Sequence, residues 1–160
     1  MYFFTSDEHY GHNNVISFCN RPFKDSYEMD QEIIKRHNEV VAKNDIVIHG
    51  GDFAYRNKIS VNNYIDKLNG NHIFLKGSHD KWNKNGSYLW EGMIEDHYVI
   101  VCHYAMLTWP RSHYGSWQLF GHSHGSLPVE RYNSKKQYDI GVDNNDFYPV
   151  SFDKLKTILE

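Results

Sequence analysis

Apolar residues along this chain fall into short runs separated by longer amphipathic stretches. Tyr2 to Ser6 is a brief apolar and hydroxyl run that stops at Asp7, and it predicts a buried first strand. Ile46-Val47-Ile48 is continuously apolar, the pattern of a strand in a sheet covered on both faces. His72 to Lys76 predicts a third strand. Between the first two, His12 to Phe18 predicts a short helix, followed by a turn at Asn20-Arg21-Pro22. From Ser26 to Lys43, Ile33, Ile34, His37, Val40 and Val41 recur at the spacing of one buried helical face. Ser26 is the expected N-cap, with Glu28 and Asp30 in the first turn, where negative charge suits the helix dipole. Ile59 to Leu68 predicts another helix, stopped by Asn69-Gly70. The order β-α-β-α-β implies parallel strands joined by right-handed crossovers.

After residue 90 the pattern changes. Tyr98 to His103, Gln118 to Gly121, Val129 to Tyr132 and Gln137 to Val142 read as strands with short connections. Asn133-Ser134 suits a hairpin turn, and this half is expected to be mostly antiparallel. A last helix follows Pro149, capped by Ser151, with Leu155, Ile158 and Leu159 inward. With no linker, repeat or low-complexity tract, residues 1–160 read as a single layered α/β domain.

Composition narrows the function classes. A chain of 160 residues builds one domain with a real core. The net charge of −3 argues against a whole-domain nucleic-acid footprint. No apolar run nears the roughly 18 residues of a membrane span, and the N-terminus lacks the basic start of a signal peptide. Cys19 and Cys102 have neither zinc-site nor disulfide spacing, so a reduced, cytoplasmic compartment is expected. Histidine is the anomaly: 11 residues against 17 Lys and Arg together.

The histidines gather with aspartates at the predicted strand ends. The first strand ends in Asp7-Glu8-His9 and the second in His49-Gly50-Gly51-Asp52. The third ends in Gly77-Ser78-His79-Asp80, the fourth at His103 and the fifth in Gly121-His122-Ser123-His124. In open α/β sheets, function collects at the carboxyl ends of strands, so five such ends suggest one shared centre. Asp7 and His9, like His122 and His124, are two apart, which on an extended chain points both side chains the same way. Carboxylate and imidazole without thiolate suit Mn, Fe, Zn or Ni. Any one of these pairs alone is weak evidence, and a set of hydrogen-bonded loop caps is the plain alternative.

This ordered set resembles the calcineurin-like metallophosphoesterase superfamily, whose pattern is D-x-H, G-D, G-N-H-D/E, a lone H, then G-H-x-H. The match runs from residue 7 to 124. The stretches Phe18 to Phe23 and His113 to Trp117 look like small bacterial and phage-encoded members. The resemblance implies a four-layer α/β/β/α sandwich, two mixed sheets flanked by helices. It also implies two divalent metal ions, manganese first, with iron, nickel or zinc as alternatives. Asp7, His9, Asp52 and His124 would hold one ion. Asp52, His103, His122 and residue 78 would hold the other. Position 78 departs from the pattern: Ser78 stands where the family has Asn, so Ser78 is expected to bind through a water, or the second site to be loose or empty. Ala105 is a milder departure, where relatives often carry Pro.

The activity implied is phosphoester hydrolysis by a hydroxide held at the metals, with His79 touching phosphate or protonating the leaving oxygen. Asp80 would orient His79 or, equally, cap its own loop. Only short segments separate the motifs, which leaves no room for a cap domain and favours a phosphodiester or nucleotide-like substrate. His12, Arg21, Asn38 and His113 are candidate substrate contacts. Each has a plain alternative: a helix start, a surface residue beside a proline turn, a solvent-facing amide and a loop residue. Trp109, His113, Tyr114 and Trp117 are able to stack a base, although core and loop packing is the simpler account. His49 belongs behind the metals or in a buried hydrogen bond, and His37, His72 and His97 are ordinary residues. The competing function is a metal- or nucleotide-binding module weakened by Ser78.

Overall fold

A computed structural model describes residues 1–55, 59–128 and 136–160. The predicted strand Val129 to Tyr132 and the Asn133-Ser134 turn lie outside these residues. The described chain forms two four-stranded mixed sheets flanked by helices. The first sheet has the order β3-β2-β1-β8. Its members are β1 (Tyr2–Thr5), β2 (Ile46–His49), β3 (Asn71–Phe74) and β8 (Val150–Ser151). β1, β2 and β3 are parallel, and β8 runs antiparallel to β1. The second sheet has the order β4-β5-β6-β7. It consists of β4 (Leu89–Ile94), β5 (His97–Cys102), β6 (Trp117–Phe120) and β7 (Gln137–Asp139).

Strand period decides where the apolar residues go. Phe4 and Ile48 point into the space between the sheets and meet Val99, Val101, Trp117 and Leu119. Helix α4 (Phe152–Leu159) adds Phe152, Leu155 and Leu159 to this core. Phe3 and Val47 point to the other face and pack with Val41. Beyond them lie α1 (Asn13–Phe18), α2 (Ser26–Val40) and α3 (Asn62–Ile65). Their apolar faces form a second cluster around Tyr10, Met29, Ile33 and Phe53. Burial on both faces explains the continuous apolar run of β2.

Several local expectations need correction. The N-cap of α2 is Asp25, whose carboxylate accepts the Glu28 N–H, so Ser26 is the first helical residue. The helix ends at Val40, which is 41% exposed; Val41 is buried, but as the residue after the helix. The predicted helix Ile59 to Leu68 is one turn of α3 flanked by turns, because Asn and Asp at 62, 63 and 66 are weak helix formers. The final helix is capped by Ser151 as expected, but Ile158 faces out. Strand β4 was not expected: an edge strand broken by Gly92 shows little periodicity, and pairing with β5 along all six residues defines it. The second sheet is also less antiparallel than expected. Among the described residues only β4–β5 is antiparallel, while β5–β6 and β6–β7 are parallel. The β5–β6 connection is long enough for a crossover and lies against the sheet, where Gln118 donates to the Tyr104 carbonyl. Among the described residues no helix is long and apolar enough to cross a membrane.

Candidate metal centre

The loops after β1 and β2 are joined by backbone hydrogen bonds. Asp7, His9 and Tyr10 donate to the carbonyls of Gly51, Asp52 and Phe53 at 3.0, 3.0 and 2.9 Å. These bonds set Asp7 and His9 beside Asp52. The loop after β6 joins them when the His122 N–H donates to Asp7 Oδ2 at 2.9 Å. Glycine is required where the loops touch: a Cβ on Gly121 would collide with Ser6 and the Asp7 carboxylate, and one on Gly77 with the Asp52 carboxylate.

The backbone here is not extended as the two-residue spacing suggested. Asp7, His9, Asp52, His122 and His124 all have positive φ, from 48° to 66°. Non-glycine residues rarely take this left-handed conformation, and it persists where surrounding structure enforces it, commonly at functional sites. These loops therefore aim side chains that a regular strand would splay apart.

Two groups of donors result. Asp7, His9 and His124 offer ligand atoms within 4.8 Å of one another, and Asp52, His103 and His122 do the same. The Asp52 carboxylate lies between the groups. Its Oδ2 is 3.2 Å from His103 Nε2, 3.7 Å from His9 Nε2 and 4.0 Å from His79 Nε2. Its Oδ1 accepts the His79 backbone N–H at 2.8 Å. Asp7 Oδ1, His9 Nε2 and His103 Nε2 are buried and make no well-aligned hydrogen bond. Buried polar atoms are seldom left so. Three of them converging beside two carboxylates fit divalent cations bound by nitrogen and oxygen ligands.

The electrostatics agree. Burial pushes the Asp7 carboxyl up to about 7, a cost that a bound cation would reverse. Burial also pushes the His9 imidazole down to about 3, keeping it neutral and fit to ligate. For Asp52 burial acts upward, but close His103, the His79 N–H and His9 outweigh it and hold the carboxyl below the ordinary range. Burial opposes protonation of His103, yet the Asp52 and Asp7 carboxylates raise its pKa.

Outer contacts fix several of these groups. His124 Nδ1 meets Asp143 Oδ2 at 2.7 Å, leaving Nε2 for the cluster. His103 Nδ1 meets the Gly50 carbonyl at 3.2 Å. Asp139 accepts the N–H groups of Gly141 and Gly125. Asp139 and Asp143 were absent from the sequence reading. The signal was available, because Asp139 closes β7 and Asp143 follows its carboxyl end.

The other candidates are placed as follows. Ser78 Oγ donates to Asp52 Oδ2 at 2.9 Å. His79 is half exposed and lines a cleft of about 800 Å³, together with His12, whose ring stacks on Tyr55 at 4.1 Å. Of the two roles open to Asp80, the hydrogen bonds are those of a loop cap, with none to the His79 ring. Its buried carboxylate accepts the N–H groups of Asp52, Phe53 and Gly77 and Trp82 Nε1, tying the two loops together. Arg21 is no phosphate contact: its buried guanidinium spends all its donors on Asp143, Met29 Sδ and the carbonyls of Asp7 and Glu8. Asn38 lies away from the cluster, bound to Lys67 and Asn69. His113 packs against Tyr114 on the short turn Ser112–Tyr114. Trp117 is core, against His97 and Phe152. His49 is buried with both nitrogens engaged, by Glu8 at 2.7 Å and His72 at 3.0 Å.

No family model matches the chain. An uncharacterized protein of Methanocaldococcus jannaschii, MJ1445, is 29% identical over 161 residues, covering 97% of this chain and 89% of that one. Among solved structures, a protein of unknown function from Aquifex aeolicus, AQ665, superimposes with a TM-score of 0.79 at 21% identity, covering 98% of each chain. That likeness supports the two-sheet fold. A predicted phosphoesterase from Streptococcus pneumoniae aligns with a TM-score of 0.45 at 14% identity, over 88% of this chain and 70% of its own. A superposition that loose carries no weight here.

Proposed function

We propose that the chain is a metal-dependent phosphoester hydrolase, acting on phosphodiesters through a dinuclear centre. The observation that carries this reading is the convergence of Asp7 Oδ1, His9 Nε2 and His103 Nε2, buried and without a well-aligned hydrogen bond, on the space around Asp52. Asp7, His9 and His124 would hold one ion, His103 and His122 the other, and Asp52 both. The order of motifs shared with calcineurin-like metallophosphoesterases supports the same assignment. Two divalent cations supply positive charge for the phosphoryl oxygens and acidify a water.

The protein's own contribution is positioning. Asp80 and the loop hydrogen bonds hold Asp52 and His79 in fixed relation. His79 lines the cleft with its Nε2 4.0 Å from Asp52 Oδ2, a position that suits a general acid toward the leaving oxygen. Ser78 is hydrogen bonded to the oxygen of Asp52 that both halves share.

The test is hydrolysis of bis(para-nitrophenyl) phosphate with added Mn²⁺, alongside metal counting on the protein. Metal-stimulated turnover, lost by at least about 100-fold in Asp52→Asn, is the expected result, since even losing an outer partner of a ligand costs 10–100-fold. Absence of bound metal and of turnover in both wild type and Ser78→Asn would overturn the reading. The Ser78–Asp52 hydrogen bond favours one second reading, a binding module with a weakened second site. Turnover appearing only in Ser78→Asn would establish that one instead.

A further inference from the structure

Two concave spaces meet at the same pair of side chains. The larger cleft is walled by His12, Asn14, Phe18, Asn20, Tyr55 and His79. A smaller pocket of about 300 Å³ lies across Tyr55 and His79, with Ser60, Val61, Lys81 and Trp82 on its far side. Tyr55 and His79 line both, their rings edge to face at 4.8 Å. His79 Nε2 is in turn 4.0 Å from Asp52 Oδ2, so the dividing wall stands at the candidate metal centre.

The two spaces differ in character. The larger offers a flat, partly apolar surface: Phe18 is 79% exposed at its edge, and His12 and Tyr55 stack face to face. Asn14 and Asn20 add amide groups that both donate and accept hydrogen bonds. A planar, hydrogen-bonding group such as a nucleobase suits this surface, since aromatic walls stack on any π-face. The smaller pocket has less than half the volume of the larger and carries a single ammonium, Lys81, among its described residues.

We infer that the substrate is a two-armed phosphodiester straddling Tyr55 and His79, its planar arm in the large cleft and its smaller arm in the Lys81 pocket. This rests on the phosphodiesterase reading and names the substrate class of that site. A monoester has no second arm and would leave the smaller pocket unused. The aromatic wall is also not the Trp109–Trp117 stretch that the sequence suggested, because Trp117 is buried in the core.

The test is calorimetric binding of diphenyl phosphate, methyl phenyl phosphate and inorganic phosphate to the Mn²⁺-loaded protein. Ser60 is exposed, so Ser60→Trp fills the smaller pocket without disturbing the core. It is expected to weaken diphenyl phosphate about tenfold or more, the lower bound for losing a fitted apolar contact, and methyl phenyl phosphate less than about twofold. Phe18→Ala is expected to weaken both diesters alike, because each keeps one ring in the large cleft. Equal effects of Ser60→Trp on both diesters, or none on either, would overturn the inference. Binding of inorganic phosphate but of neither diester would also overturn it, while leaving a phosphoester site intact. No binding of any of the three would remove the phosphodiesterase reading itself.

Discussion

The two halves of the candidate centre are built to different standards. In the half formed by Asp7, His9 and His124, the Asp7 and His124 positions are braced from behind. Asp143 holds His124 Nδ1 at 2.7 Å, and Arg21 grips Asp143 through two guanidinium hydrogen bonds of 2.8 and 2.7 Å. The same guanidinium reaches the carbonyls of Asp7 and Glu8, so one cation organises a whole loop. In the half formed by Asp52, His103 and His122, support comes mainly from backbone. His103 meets the Gly50 carbonyl, while His122 is exposed. Ser78 donates to Asp52 Oδ2, which lies 3.2 Å from His103 Nε2 and 3.7 Å from His9 Nε2. The contrast teaches that affinity in such a site is set as much by what lies behind a ligand as by the ligand itself.

The largest expected effect comes from removing the brace. Arg21→Leu leaves the Asp143 carboxylate buried without its cation and is expected to cost about 3–5 kcal/mol of stability, read by urea unfolding. A loss under about 1 kcal/mol would show that the first half is not held from behind.

A pH experiment comes next, with an effect of a few kcal/mol. The folded-state pKa of Asp7 is raised to about 7 from an ordinary 3.8. The metal-free folded protein therefore holds this proton more tightly than the unfolded chain. The resulting stability is complete below about pH 4 and is lost as pH rises through 7. The buried imidazole of His9, lowered to about 3, acts in the opposite sense, contributing stability above 6.5 that is lost as pH falls. Comparison with Asp7→Asn isolates the carboxyl. In EDTA the wild type is expected to lose melting temperature relative to the variant between pH 4 and 8, and parallel curves would refute the burial argument.

Asp143→Asn is expected to weaken one metal equivalent by about 10–100-fold and leave the other unchanged, read by metal titration. Equal weakening of both would erase the distinction between the halves. The smallest effect is expected from Ser78→Asn, an amide oxygen in place of a hydroxyl: a several-fold tighter second equivalent in the same titration.

Histidine chemistry divides along β1 and its following loop. Asp7 and His9 face the cluster, while Glu8 between them faces the opposite side and meets His49, which meets His72. His49 is pushed down to about 3 by burial, as His9 is. Burial alone therefore does not distinguish a candidate ligand from a core histidine; convergence with other Asp and His donor atoms within 4.8 Å does. The sequence showed both sets as histidines at or near strand ends, and spacing could not separate them.

Other parts of the site were equally hidden in one dimension. Arg21 was a candidate phosphate contact or a surface residue beside a proline turn; it is neither, because its partner Asp143 lies 122 residues away. Asp80 looked like a partner of His79 because the two are adjacent, but the fold spends its carboxylate on three backbone N–H groups and an indole. β4 was missed because an edge strand with a glycine has little pattern until its partner is beside it.

What the sequence determined by itself was local: the apolar runs of β1 and β2, the caps and glycines that stop elements, and the placing of Asp and His just past strand ends. Parallel pairing then puts those ends on one side, so the approximate location of the site followed from strand order. Tertiary structure decided which atom each residue presents. The left-handed backbone at Asp7, His9, Asp52, His122 and His124 arises only where loops from both sheets lock together. The loop contacts that enforce it come from residues tens of positions apart, beyond the reach of any local pattern.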